Sequence, residues 1–295
     1  MADSETVPKR RQISSVGDLI AWVKDVKGCP LFEKAGEVCY RGHEDAAFSL
    51  LPSVQRSLRA DAEQNIISEL LLYSSDAFLS DRTMFEKLVR AQHYALPTRL
   101  LDVTMNPLVG AYFSLGTDDR TDGQLYMFGF APDRIKYPDS DSVALICNIA
   151  RLTSKEREDL RNACSQVKSD DPAEVEKFRS HKSMRRLLHF VRDEKPAFED
   201  RVEPKDLTTY YLVRAKQSNR RIIAQSGAFI ASGLNSYQRV GGSSTFPRAE
   251  AIIPKEAKPD LRRELELFAI NHRTMFPDLE DVARHIARKW KVESI

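Results

Sequence analysis

Between Ala91 and Pro107 the chain sets Gln92, His93, Tyr94, Thr98, Arg99, Asp102, Thr104 and Asn106 among Leu and Val residues, with an apolar helical pattern on either side. Turns are ordinarily built from Gly, Ser and Asn. Here the polar side chains titrate, donate or stack, and the apolar ones between them would pin them to a core. A cluster anchored in that way points to a site; an Asp-capped turn with a buried hydrogen-bond network would use the same residue types. His93, whose reference pKa lies near physiological pH, fits a general base or hydrogen-bond donor, and equally a core histidine fixed by a neighbour. Asp102 has three competing roles: orienting His93, pairing with Arg41 or Arg99, or bonding backbone N–H groups at a helix start. The structural role is preferred. Gln92 and Tyr94 cannot share one helical face, so at most one of them points with the site. Thr98, Arg99 and Thr104 crowd the same turn as substrate-binding candidates, with Thr104 and Asn106 also suited to capping.

A second island, Cys39-Tyr40-Arg41-Gly42-His43, ends a short apolar run. A guanidinium at a strand end can grip phosphate or carboxylate with two parallel bonds, and Gly42 would let a ligand approach the backbone. The alternative for Arg41 is an internal ion pair to a carboxylate such as Asp102. His43 reads as a surface residue, with substrate contact as the alternative. Downstream, Gln225 could hydrogen-bond an amide or ribose, or close a helix C-terminus; Phe229 reads as core. Phe276 to Leu279 reads as structural, with Asp278 and Asp281 spaced like an acidic helix cap. His181, His189, His272 and His285 show no metal-ligand spacing, and no metal is expected. Phosphate-loop, dinucleotide-binding, nucleophile-elbow and H-E-x-x-H motifs are absent. The cluster Arg214, Lys216, Arg220 and Arg221 is a possible local phosphate-binding face, or a solvated helix face.

The elements that must position these residues belong to one soluble-type chain. Its 295 residues can bury a substantial core, and 42% apolar with 30% charged residues is an ordinary globular balance. The net charge of +2 provides no global field for nucleic acid or membrane. No apolar run approaches the roughly 18–20 residues of a membrane span. Four cysteines without paired spacing, and no apolar signal core near Met1, point to the cytoplasm. Residues 1–12 are expected to be a disordered leader, followed by one domain over 13–295. Periodicity predicts helices over Ile13–Val26, Ala62–Leu79, Phe85–Tyr94, Asn106–Leu115, Ser218–Gln225, Pro259–Ala269 and Leu279–Trp290. Strands are predicted over Glu37–Arg41, Gln124–Phe130, Thr208–Val213, Ala228–Ala231 and Ala249–Ile253. The run Leu101 to Phe130 reads loop, helix, strand, and Ser236 to Phe246 reads as a Gly/Ser loop. The charged stretch 132–204 is expected to be a peripheral helical insertion. The fold class is α+β: helices around a modest, mostly antiparallel sheet.

The Tyr-Arg-Gly triplet at Tyr40–Gly42 and the block Gln92-His93-Tyr94-x-Leu96-Pro97-Thr98-Arg99-Leu100-Leu101-Asp102-x-Thr104 resemble the FRG domain family. Arg221 to Phe229 and Met275 to Leu279 are also similar to it, so the likeness runs from about Tyr40 to Trp290. Val103 stands where the family usually has Trp. A more distant resemblance joins the layout to ADP-ribosyltransferases. In these, an aromatic-Arg-Gly strand anchors NAD, matching Tyr40 to Gly42, and a Thr/Ser-rich segment, here Asp102 to Thr104, precedes an Ala-x-x-Phe type helix, here Ala111 to Ser114. That resemblance implies NAD as substrate and a toxin or antiphage defence role, with an antitoxin or defence partner. It also implies a strand glutamate, for which Gln225 lies in place without a carboxylate and Glu250 is the alternative. Tyr40 or Tyr94 would stack on nicotinamide. Two other readings stand beside it: a non-catalytic nucleotide or nucleic-acid sensor, and a nuclease using His93, Arg99 and Asp102.

Overall fold

Alternating apolar residues form the spine of the molecule. In the computed structural model, which describes residues 10–56, 58–117, 119–168, 171–217, 219–235, 246–279, 282, 283, 286, 287 and 290, eight strands make one sheet. They are β1 (Arg11–Gln12), β2 (Glu37–His43), β3 (Leu100–Thr104), β4 (Gly123–Phe130), β5 (Ile135–Lys136), β6 (Tyr210–Arg214), β7 (Gly227–Ser232) and β8 (Arg248–Ile253). Their spatial order is β1-β8-β4-β2-β3-β7-β6-β5. The outermost pairs, β1–β8 and β5–β6, are parallel, and the inner pairs are antiparallel. The helices are α1 (Val16–Lys27), α2 (Ala62–Tyr73), α3 (Met84–His93), α4 (Pro107–Leu115), α5 (Asp141–Asn148), α6 (Ser154–Gln166), α7 (Pro172–Arg179), α8 (Lys182–Glu194), α9 (Pro204–Thr208), α10 (Arg220–Ala224), α11 (Lys258–Leu267) and α12 (His272–Met275). The class is α+β. Among the described residues no helix is long and apolar enough to cross a membrane.

Side chains on a strand alternate between faces, and the register assigns each face its partners. Tyr40, Met127 and Ala249 share a face and bury against Leu19 and Trp22 of α1, Ala111 of α4 and Leu261 of α11. Further along that face, Leu100, Phe229 and Val213 pack with Phe85 and Leu88 of α3 and Val143 and Ile146 of α5. The opposite face carries Cys39, Leu101, Val103, Phe128 and Ile230, with Leu51 and Phe246 against them.

Local chemistry sets the helix starts that matter for the site. Thr83 and Glu86 form a reciprocal capping box at α3. Asn106 caps α4 by accepting from the Leu108 N–H, and Pro107 occupies the first turn, where its missing N–H costs little.

The structure departs from the sequence expectations in several places. Arg11 and Gln12 are not leader but an edge strand on β8, whereas residues 1–9 lie outside the described residues. Leu101 to Thr104 is strand, not loop, because Leu101 and Val103 alternate with Asp102 on a pleated surface. α2 ends at Tyr73, and a separate 3-10 turn covers Ser75–Phe78. Within 132–204, α5 is no outer element: Val143, Ile146 and Cys147 are buried beneath α3 and β7. Its apolar run was outweighed in the reading by the charged helices that follow, which gather around a second core including Leu160, Phe178, Leu187 and Val191. The Gly/Ser loop lies outside the described residues except for Phe246, as does most of the closing helix.

Candidate functional site

The sheet opens between β2 and β3. β2 pairs with β4 over its whole length and β3 with β7 likewise, but β2 and β3 meet at one pair, Tyr40 opposite Thr104. Beyond that pair the strands part, and a cleft of about 250 Å³ opens between them. Arg41, Gln92, His93, Asp102, Thr104 and Gln225 all line it. Three islands separated by up to a hundred or more residues therefore share one wall.

Arg41 reaches across the opening. Its Nη1 donates to the Asp102 carbonyl oxygen at 2.6 Å and lies 4.0 Å from Asp102 Oδ2. Its Nε donates to His43 Nε2 at 3.0 Å. A guanidinium has no acceptor, so Nε2 must accept and the His43 proton sits on Nδ1. His43 is not a surface residue: it is 4% exposed, with the Tyr126 ring edge-on at 5.2 Å. Burial, and then the positive charges of Arg41 and Arg56, push its pKa down to about 3. The imidazole is thus held neutral, which is the state that can accept from Arg41.

Asp102 is positioned from the other side. Its carboxylate, 59% exposed in mid-strand, accepts from Gln92 Nε2. Gln92 Oε1 in turn accepts from Thr98 Oγ1 at 2.6 Å, and the Thr98 N–H donates to Ser53 Oγ at 3.0 Å. Thr98 is therefore buried support behind Gln92 rather than a ligand contact. Thr104 both lines the cleft and ties two elements: its Oγ1 donates to the Gln225 carbonyl at 2.7 Å and accepts from the Asn106 N–H at 3.0 Å.

The far wall comes from Phe113 and from residues between Asn219 and Phe229, and Met275, Phe276 and Asp278 contact the lining from behind. Gln225 Nε2 donates to the Met275 carbonyl at 2.9 Å. The Arg221 guanidinium stands over the Phe276 ring at 4.9 Å, and Phe113 of α4 meets that ring edge-on at 6.2 Å. His93 Nε2 is 3.8 Å from Asp278 Oδ2. Phe276 and Asp278 do not line the cleft themselves; they contact its lining residues Arg221, Phe113 and His93. Gln225 joins them as a tether instead of offering a free amide to chemistry. Ser226, with φ of 47°, takes the left-handed turn that suits Gly227, and Gly227 begins β7.

Tyr40 and Gly42 also line the cleft, and the remaining sequence candidates are elsewhere. Arg99 is 3% exposed and pairs with Glu63 through two bonds, 2.7 and 2.9 Å, while its Nη1 donates to the Ser232 and Gly233 carbonyls. Arg157 reaches the same Glu63 at 3.1 Å. Burial pushes the Glu63 carboxyl up, but the two arginines outweigh it and hold it below its ordinary value. Tyr94 caps α3 with its side chain 65% exposed, away from the cleft. The Tyr40 ring is in the core beneath α4, where burial raises its pKa to about 12, so neither tyrosine offers the stacking face expected of it. Gly42 borders the cleft, but the space left by its missing Cβ is taken by α4. A Cβ there would fall 2.2 Å from the Gly110 carbonyl oxygen and 2.4 Å from the Ser114 nitrogen, so the glycine lets α4 seat on β2. Glu250 pairs with Arg248 at 3.0 Å and accepts from Gln124, two strands away from the opening. The basic cluster is dispersed: Arg214 pairs with Glu37, Lys216 with Glu86, and Arg221 faces the cleft. Among the described residues no three His, Cys, Asp or Glu side chains gather as a metal site.

Residues 36–123 match the model of the FRG domain family. The chain carries an FRG domain over this segment. The match begins at β2 and ends at the first residue of β4, so it includes Arg41, Gln92, His93 and Asp102 but not Gln225 or Glu250. The FRG domain therefore supplies both facing groups of the cleft, and residues beyond it close the far wall. No curated protein and no solved structure is significantly similar to the chain. Two contributors were not read as part of this site, His43, taken chiefly as a surface residue, and Phe113, whereas Arg221 was offered as part of a basic face. The alternation of Arg41 and His43 along one strand was the available signal for the first. Nothing in the sequence signalled that Phe113 would meet Phe276.

Proposed function

We propose that the cleft of this FRG-domain protein binds a nucleotide and that the protein transfers ADP-ribose from NAD. The observation that carries the reading is the facing pair Arg41 and Asp102 across the parted strands, each held from behind by a neutral side chain, His43 and Gln92. A guanidinium so fixed suits a phosphate, and a carboxylate so fixed suits a developing positive charge. In the proposed reaction the bond between the ribose anomeric carbon and the nicotinamide nitrogen breaks, and its electron pair leaves with nicotinamide. Asp102 stabilises the oxocarbenium-like centre. The acceptor's oxygen or nitrogen then bonds to that carbon, and its proton passes to His93, whose imidazolium Asp278 would stabilise. The distant likeness to ADP-ribosyltransferases calls for a carboxylate on a strand. With Gln225 tethering Met275 and Glu250 outside the cleft, Asp102 takes that role.

A sensor that binds nucleotide without turnover would use the same Arg41. Incubating the protein with NAD and following nicotinamide by chromatography separates the two: steady release supports the transferase, and saturable binding without release supports the sensor. The nuclease reading loses Arg99, which is committed to Glu63. A role as toxin or antiphage effector, restrained by an antitoxin or defence partner, rests on the likeness alone. Growth arrest on expression, relieved by Asp102→Asn, would support it.

A further inference from the structure

The second core holds one helix so that its outer face is basic. Along α8, Met184, Leu187, Leu188 and Val191 are buried with Leu160 of α6 and Phe178 of α7. Lys182, Arg185, Arg186, His189 and Arg192 recur at helical spacing on the other side, within an arc of about 120° at 3.6 residues per turn. All five are exposed, and no Asp or Glu occurs between Lys182 and Arg192. Asp193, which follows, is bonded to Arg151 at 3.0 Å. Among the described residues none of Lys182, Arg185, Arg186 and Arg192 is paired with a carboxylate. Arg186 is steadied by the Phe190 ring, 4.4 Å away, and Arg192 Nε donates to the Phe198 carbonyl at 3.3 Å. The basic cluster near α10 differs, since its Arg214 and Lys216 are both paired.

We propose that this face of α8 is a docking surface for double-stranded DNA, gripped through its phosphates without regard to base sequence. The proposal is independent of the nucleotide reading, because no residue of α8 lines the Arg41–Asp102 cleft. Charge complementarity calls for a polyanion, and the other chemistry of the face narrows the choice. A membrane-surface helix sets Trp, Phe or Leu beside its cations to enter the lipid. Here the apolar side is committed to the core, and among the described residues between 138 and 222 no large apolar side chain is exposed. A protein interface is anchored by central aromatics, and a single-strand binder stacks bases on them; this face offers neither. Phosphates require only donors, which guanidinium forks supply in pairs. The thirteen residues of α8 carry those donors along roughly 20 Å, enough to follow several phosphates of a duplex.

The test is fluorescence anisotropy of a labelled DNA duplex titrated with the full chain over a range of salt concentrations. Contact with about four phosphates predicts that log K falls against log salt with a slope of roughly −3 to −4. Arg185→Gln with Arg186→Gln should reduce the slope by about 2 and weaken binding about tenfold or more at low salt. Lys24→Gln with Lys27→Gln removes the same charge from exposed positions on α1 and should leave the slope unchanged. Lys182→Glu should also weaken binding, and an acidic residue suits the first turn of a helix, so this variant should fold; thermal melts verify all three. Equal losses from the α1 pair would reduce the effect to net charge and overturn the proposal. Displacement of the duplex by NAD would place it in the cleft, with the same consequence. Tighter binding to phosphatidylserine vesicles, or equally effective competition by polyglutamate, would assign the face to a membrane or an acidic protein instead. Absence of DNA binding at low salt would also overturn it.

Discussion

His43 offers the sharpest test of how the cleft is built, because its buried, neutral state couples stability to pH. Its ordinary pKa is 6.5 and its folded value is about 3. The unfolded chain therefore takes up a proton in a range where the folded chain refuses one. By linkage, stability contributed by this site is intact above the unfolded value and is lost as pH falls from 6.5 towards 3. At about 1.4 kcal/mol per unit, acidification from pH 6.5 to 5 should cost roughly 2 kcal/mol through this residue alone. Urea unfolding of the wild type and of His43→Gln at pH 7, 6 and 5 measures it. The wild type should lose most of that amount over the interval, and the variant, which has nothing to protonate, should show a distinctly shallower slope. Direct NMR titration of the imidazole should show no protonation down to pH 5. An ordinary midpoint near 6.5, or identical slopes in both proteins, would refute the claim that a neutral imidazole holds Arg41.

Four further outcomes follow from the same geometry. Arg99→Met leaves Glu63 buried with less compensation and should cost roughly 3–5 kcal/mol, or a fall in Tm on the order of 10 °C, without a specific effect on nucleotide affinity. Because Arg99 and Arg157 depress the Glu63 carboxyl, its contribution should be present above its ordinary range and disappear as pH falls below about 4.5, which acid melts of wild type and Glu63→Gln would compare. Gly42→Ala drives a methyl into the α4 backbone and should destabilise by about 3 kcal/mol or more, with unchanged melting contradicting the seating of α4 on β2. Arg41→Lys keeps the charge and loses the fork, so nucleotide affinity should fall while Tm moves little; a large Tm loss with no ligand effect would make Arg41 structural.

Much of the site was legible because its residues break local rules. Arg41 beside a glycine and the Gln92-His93 pair amid apolar residues have no obvious local purpose, and all three line the same opening. What the sequence obscured was which polar residues look inward for support. Arg99 and Thr98 carry the same residue types as ligand-binding groups, and only their own burial and their bonds to Glu63 and Ser53 reveal their employment. Strand alternation around Asp102 was hidden by its polar neighbours, so β3 read as a loop. Gly42 fits a close backbone approach in either case; that the approaching group is α4 depends on contacts with Gly110 and Ser114, far along the chain. Charge dominated the reading of 132–204 and concealed the apolar run of α5, whose partners are on β7 and α3.

The central claim is that Arg41 and Asp102 form one working pair in the parted sheet. Nicotinamide release from NAD by wild type and by Asp102→Asn, both shown to melt alike and to bind NAD, tests it most directly. The account predicts release by the wild type and a loss of about a hundredfold or more in the variant, since an amide cannot balance the developing charge. Equal release by the two proteins would contradict it.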